Sequence, residues 1–149
     1  MSRTCPAQPR HLTKGKELLF AQATWWALGA FIDGHPATRW FSSEIARTEL
    51  ARTVRRVNHD DRGRLIDEQR LRAELDYAER IWERLDLIAV STRILTESAA
   101  VEQPFLRTLD AIHLAAAVSL RASLSAFVTY DKRLAAVAQE IGLPVLSPA

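Results

Sequence analysis

One stretch limits what this chain can become more than any other. It is Leu106-Arg107-Thr108-Leu109-Asp110-Ala111-Ile112-His113-Leu114-Ala115-Ala116-Ala117, followed shortly by Phe127-Val128-Thr129-Tyr130-Asp131-Lys132-Arg133-Leu134. The first part reads as an Ala/Leu-rich helix capped by Thr108 and running from about Leu109 to Leu120. Ser125 to Tyr130 reads as a strand and Lys132 to Ile141 as a helix, which Gly142 stops before a last short strand, Pro144-Val145-Leu146. Such alternation implies crossover connections and parallel strands. Each half also carries one aspartate: Asp110 in the opening turn of a helix, Asp131 at a strand-to-helix junction. Two carboxylates offered from the ends of separate elements is how an open α/β sheet builds a site beyond the carboxyl ends of its strands.

The rest of the chain supplies what such a sheet needs. Leu18 to Ile32 reads either as a strand and a helix or as one buried helix, with Trp25-Trp26 as packing surface rather than a base-stacking platform. Asp33-Gly34-His35-Pro36 is a turn. Arg39 to Ser42 is a short strand. Ser43 is placed to cap a helix reaching about Val57, with Ile45, Leu50, Val54 and Val57 as its apolar stripe. His59 to Gly63 breaks that helix, and Leu65 to Leu85 is helical again. Leu87 to Val90 has the character of a buried parallel strand, and Ser91 or Thr92 can cap a helix from Arg93 to Ala100. The chain is therefore α/β, with a mainly parallel sheet covered on both faces, and its 149 residues suit one domain.

A net charge of +2 does not by itself call for a nucleic-acid partner, so any basic patch must come from local arrangement. The single cysteine, Cys5, rules out an internal disulfide and suits a reducing compartment. Residues 1–16 form a loose arm with four Lys/Arg and no acid, and with the apolar run after them they imitate a secretory signal. That run is too short to span a bilayer, is interrupted by Gln22, and ends in a turn rather than a cleavage site. A cytoplasmic protein is expected, with tethering to a membrane through Leu18 to Ile32 as a remote alternative.

Taken singly, the candidate residues have ordinary explanations. An aspartate in a helix's first turn is favoured by the helix dipole, and Asp131 is explicable as an N-cap. Glu44 and Glu49 lie among arginines on one helix, five positions apart, so at most one faces a common site. His113, three residues after Asp110, reads as a satisfied core histidine. No nucleophile–histidine set and no phosphate-cradling glycine loop is present. What survives is a cluster of carboxylates with arginines nearby, a pattern that suits a hard divalent ion and chemistry on a phosphodiester.

With Gly142-Leu143-Pro144-Val145 closing the chain and Ser42-Ser43-Glu44-Ile45-Ala46-Arg47-Thr48-Glu49-Leu50 ahead of them, these segments resemble the PIN-domain ribonucleases. Within these the likeness is to the VapC toxins of toxin–antitoxin pairs. It covers about Ala27 to Pro148, with several segments matching in order. The resemblance implies a three-layer α/β/α PIN-like fold and an acidic pocket holding Mg²⁺ or Mn²⁺. It also implies RNA hydrolysis by metal-activated water, a homodimer, and a VapB-like antitoxin as partner. By the same resemblance Glu49, Asp110 and Asp131 are the metal-binding and catalytic carboxylates, and Thr129 is the hydroxyl residue beside the last of them. Glu44 matches no shared position.

One departure stands out. The family's first strand ends in an aspartate, typically Leu-Asp-Ser/Thr-Ser-Ala, whereas this chain has no acidic residue between Glu17 and Asp33. The first strand is thus expected to be atypical or replaced, with Leu18 to Ala23 in its place and uncharged Gln22 or Thr24 near the vacant position. The expected organisation is an atypical segment, 1–26, joined to a PIN-like domain, 27–149, through a shifted reading frame or a misassigned start. Two functions follow: a Mg²⁺-dependent endoribonuclease working with three carboxylates, or an impaired PIN module that acts only by binding an antitoxin or itself.

Overall fold

The computed structural model describes residues 16–19 and 25–147, with side chains from Trp26 onward. The arm 1–15 with Cys5, and the positions of Gln22 and Thr24, lie outside the described residues. In chain order the elements are β1 (Lys16–Leu19), α1 (Trp25–Asp33), β2 (Arg39–Ser43), α2 (Ile45–Val57) and α3 (Glu68–Trp82). They continue as β3 (Leu85–Ile88), α4 (Thr92–Ala99), α5 (Thr108–Ser119), β4 (Leu124–Val128), α6 (Lys132–Glu140) and β5 (Val145–Leu146).

The five strands form one sheet in the order β3-β2-β1-β4-β5, and every pairing is parallel. The strand-to-strand path runs one way from β1 through β2 to β3, then returns to β4 on the far side of β1. The direction of winding therefore reverses between β1 and β4, and there the strand ends open a crevice. Their register aligns them, with Leu19 opposite Val128.

Alternation along the strands sends side chains to two cores. Trp40 and Val128 join Leu28 and Ile32 of α1, Leu50 and Val54 of α2, and Ile81 and Trp82 of α3 on one face. Phe41 and Phe127 join Leu114 and Ala117 of α5 and Leu134 and Ala138 of α6 on the other. A third cluster wedges Ile94 of α4 against Ile112 and Ala116 of α5. This is the expected three-layer α/β/α arrangement. Gly29 lets α1 approach α3 closely, because a Cβ there would overlap the hydroxyl end of Tyr77. Gly142 has φ +77°, so the left-handed step that ends α6 is taken by the residue that adopts it without strain.

Several elements depart from the sequence reading for identifiable reasons. The central strand is Lys16–Leu19, earlier than the expected Leu18 to Ala23, and a separate helix follows it. Ser43 ends β2 as a buried residue whose Oγ accepts from the Ile45 amide at 3.4 Å, while Glu44 takes the cap position of α2 in helical geometry without a side-chain capping bond of its own. α3 starts at Glu68 rather than Leu65, because Asp67 accepts from the Arg70 amide and fixes the start. Leu65 and Ile66 lie exposed in the preceding loop. β3 is an edge strand two residues earlier than expected, with Leu85 buried and Leu87 40% exposed, not a buried central run. Arg107, rather than Thr108, occupies the cap position of α5, again without a side-chain bond.

Candidate active site

The residues that meet at the crevice come from helix starts and strand ends at one edge of the sheet. Helix α5 runs back antiparallel to the strands, so its first turn lies at their carboxyl ends. There Asp110 is 4% exposed. β4 ends at Val128, and the chain turns through Thr129 and Tyr130 to Asp131, the N-cap of α6. Asp131 Oδ1 accepts from the amides of Arg133 at 2.7 Å and Leu134 at 2.9 Å. Capping fixes the carboxylate through that one oxygen. Thr129 is fully buried, and its Oγ1 accepts from the Asp131 amide at 3.1 Å. The hydroxyl expected beside the metal therefore shapes the turn that carries Asp131.

Asp110 and Asp131 line a single cavity of about 320 Å³, together with Phe105, Arg107, Lys132 and Arg133. Glu49 is not part of that lining. Instead His113 Nε2 lies 2.6 Å from Glu49 Oε2, the imidazole N–H donating to the carboxylate, and the histidine is 1% exposed. The spacing Asp110–His113 puts both on one side of α5, so the helix that carries Asp110 also holds Glu49 through His113. Burial, first of all, pushes the Asp110 carboxyl above its ordinary range. The negative charges of Asp131 and then Glu49 push the same way, while His113 and Arg107 pull it down. Asp110 thus feels both of the other carboxylates, and of the three Asp110 and Asp131 line the cavity.

The sequence candidates sort accordingly. Asp110 and Asp131 come together; Glu49 lies outside the cavity lining, held by a histidine; Thr129 is buried in the turn. Glu44 is used elsewhere, its Oε1 accepting from the Val90 amide at 2.8 Å to tie the start of α2 to the end of β3. Asp33 is engaged in an ion pair with Arg84 and is not part of the cavity lining. Glu17 pairs in register with Trp40 and Ala126, within the sheet and not at a strand end. Among the described residues no group of three His, Cys, Asp or Glu side chains is close enough to hold a metal ion. The pair Asp110–Asp131 still fits a hard divalent ion, because Mg²⁺ commonly takes one or two carboxylates and fills its remaining positions with water. Repulsion that lifts the Asp110 carboxyl is what a cation there would relieve. Phe105, Arg107, Lys132 and Arg133 were not singled out from sequence. The Lys132-Arg133 pair directly after Asp131 was the available signal.

Comparison with known proteins places the chain in a family. The PIN-domain family model matches residues 15–140, which includes β1 and every residue of the crevice named above. This chain belongs to the PIN-domain family. Ribonuclease VapC35 of Mycobacterium tuberculosis is 34% identical over 124 residues, covering 82% of each chain. Ribonuclease VapC47 of the same species is 36% identical over 107 residues, 72% of this chain and 70% of that protein. No solved structure matches. Among the described residues no helix is long and apolar enough to cross a membrane.

Proposed function

We propose that this PIN-domain chain is a VapC-type endoribonuclease, a toxin that hydrolyses RNA phosphodiester bonds with Mg²⁺ or Mn²⁺. The observation that carries this reading is the pair of carboxylates, buried Asp110 and partly exposed Asp131, lining one cavity with Arg107, Lys132 and Arg133. Relatives named ribonucleases over most of their length support it. In this reading Asp110 and Asp131 would hold the ion, which when bound supplies a water activated for attack on phosphorus. Thr129 fixes the Asp131 backbone and His113 fixes Glu49, whose charge adds to the pull on a cation. The cationic rim holds RNA phosphates on either side of the scissile bond. A VapB-like antitoxin, a homodimer and a cytoplasmic setting belong to the same proposal.

A second reading has its own observation. With no acid between Glu17 and Asp33, the chain lacks the aspartate that ends the family's first strand. A PIN module impaired in this way would act by binding an antitoxin or a second copy. The division into a segment 1–26 and a domain 27–149 goes with it. Another reading frame of the coding DNA that supplies an apolar strand ending Asp-Ser/Thr-Ser-Ala would support that division, and its absence would count against it.

Incubating purified protein with RNA separates the two. Cleavage that requires Mg²⁺ or Mn²⁺, stops in EDTA and is lost in Asp110→Asn is expected from the nuclease. A folded protein that leaves RNA intact under the same conditions is the binding module.

A further inference from the structure

The rim of the cavity carries one residue that neither metal binding nor phosphate binding explains. Phe105 is 83% exposed, more than any other large apolar side chain described, and it lines the cavity that holds Asp110 and Asp131. It stands at the tip of a turn. The Leu106 amide donates to the Gln103 carbonyl at 3.2 Å, and Pro104 restricts the backbone just before the ring. Leu106, the next residue, packs against the core between α5 and α6. One apolar side chain therefore anchors the turn while its neighbour is held out into solvent. A lone exposed phenylalanine is unremarkable on most surfaces. This one lines the cavity that holds two aspartates, with Arg107 on its own loop and Lys132 and Arg133 from the start of α6.

We infer that Phe105 is a stacking platform for an unpaired base of the substrate RNA, next to the phosphodiester bound at Asp110 and Asp131. Every base has a π-face, and an aromatic ring flanked by cations is how single strands are gripped without reading a duplex. The three cations that share the cavity lining with Phe105 favour a polyanion over an apolar protein surface as the occupant. Phe105 would then select single-stranded segments and set which nucleotide lies beside the scissile bond. This inference rests on the ribonuclease reading above.

The test uses the full chain and a short single-stranded RNA with 2-aminopurine at successive positions, in EDTA, where a metal-dependent nuclease does not turn over. Wild type is expected to bind and to quench the probe at one position. Phe105→Ala should lose that quench and bind about 5- to 150-fold more weakly, the usual range for one lost base–aromatic stack. Phe105→Trp should restore both. Because the side chain is exposed, the melting temperature of all three proteins should agree. Wild type that binds RNA while Phe105→Ala keeps its affinity and quench overturns the platform and leaves the nuclease reading standing. Unchanged RNA binding, together with dissociation of Phe105→Ala from dimer to monomer, reassigns the ring to a protein contact. Wild type that binds no RNA either in EDTA or with Ca²⁺ in place of Mg²⁺ overturns the nuclease reading and this inference together.

Discussion

Two strand-to-helix turns at the same edge of the sheet each carry a carboxylate, and they use it differently. After β2, Glu44 sits at the cap position of α2 in helical geometry, and its longer side chain reaches sideways to the Val90 amide. After β4, Asp131 caps α6 in extended geometry through one oxygen and stays beside the crevice. The shorter side chain satisfies the helix end locally and remains at the cavity. The longer one is spent joining α2 to β3. Topology alone therefore does not decide which acid lines the cavity. Side-chain reach and the position of the strand order's reversal do, since β4 borders it and the β2–β3 edge does not.

Changes at the crevice should have the largest effects. Asp110→Asn is expected to reduce RNA cleavage by a factor of about 100 or more, the scale of losing a preorganised charged group at a reacting centre. The same substitution should raise the melting temperature of metal-free protein, because it removes a buried charge held near two others. The sign follows from linkage. Since the folded-state pKa of Asp110 is raised, the native protein holds its proton where the unfolded chain has released it. Its contribution is fully present below the ordinary carboxylate range and is lost as pH rises through the raised value. Metal-free wild type should thus gain stability relative to Asp110→Asn on acidification across that window, measured by melting curves.

Asp131 separates cap from charge. Asp131→Asn should keep the melting temperature, because asparagine caps as well as aspartate, yet cleave RNA at least tenfold more slowly. Asp131→Ala should lose activity and also about 1 kcal/mol of stability. Cleavage that survives Asp131→Asn would make this turn no different from the one after β2.

His113→Leu should cost about 1–3 kcal/mol in chemical denaturation, since it leaves the half-buried Glu49 carboxylate without its donor. Gly29→Ala, remote from the crevice, should cost about 1–3 kcal/mol by forcing Tyr77 aside, with cleavage per folded molecule unchanged. The smallest effect is expected at Glu44. Glu44→Gln retains an acceptor for Val90 and should change neither cleavage nor stability by more than about 0.5 kcal/mol. A strong loss of activity there would erase the contrast between the two turns.

The alternation of strands and helices was legible because strand runs and amphipathic stripes are local patterns. The starts of α3 and β3 were not. Apolar Leu65 and Ile66 extend the helical pattern past the residue, Asp67, whose cap sets the boundary. The run Leu87 to Val90 looks buried, although an edge strand leaves Leu87 open. Asp110 and Asp131 stood out because each opens a helix. The bond between His113 and Glu49 joins residues 64 apart and depends on how α2 and α5 pack, which no local pattern encodes. Phe105 escaped notice because an apolar residue in a linker carries no periodicity, and only its turn and the buried Leu106 show that it is held outward.

In the proposed function the carboxylates after β4 and in α5, and not the one after β2, hold the ion. Titrating Mn²⁺ into metal-free wild type, Asp131→Asn and Glu44→Gln, with bound metal read by electron paramagnetic resonance, tests it most directly. One ion bound by wild type and by Glu44→Gln, and lost or weakened at least tenfold in Asp131→Asn, is the expected result. Equal binding by wild type and Asp131→Asn, or no binding by folded wild type, would contradict it.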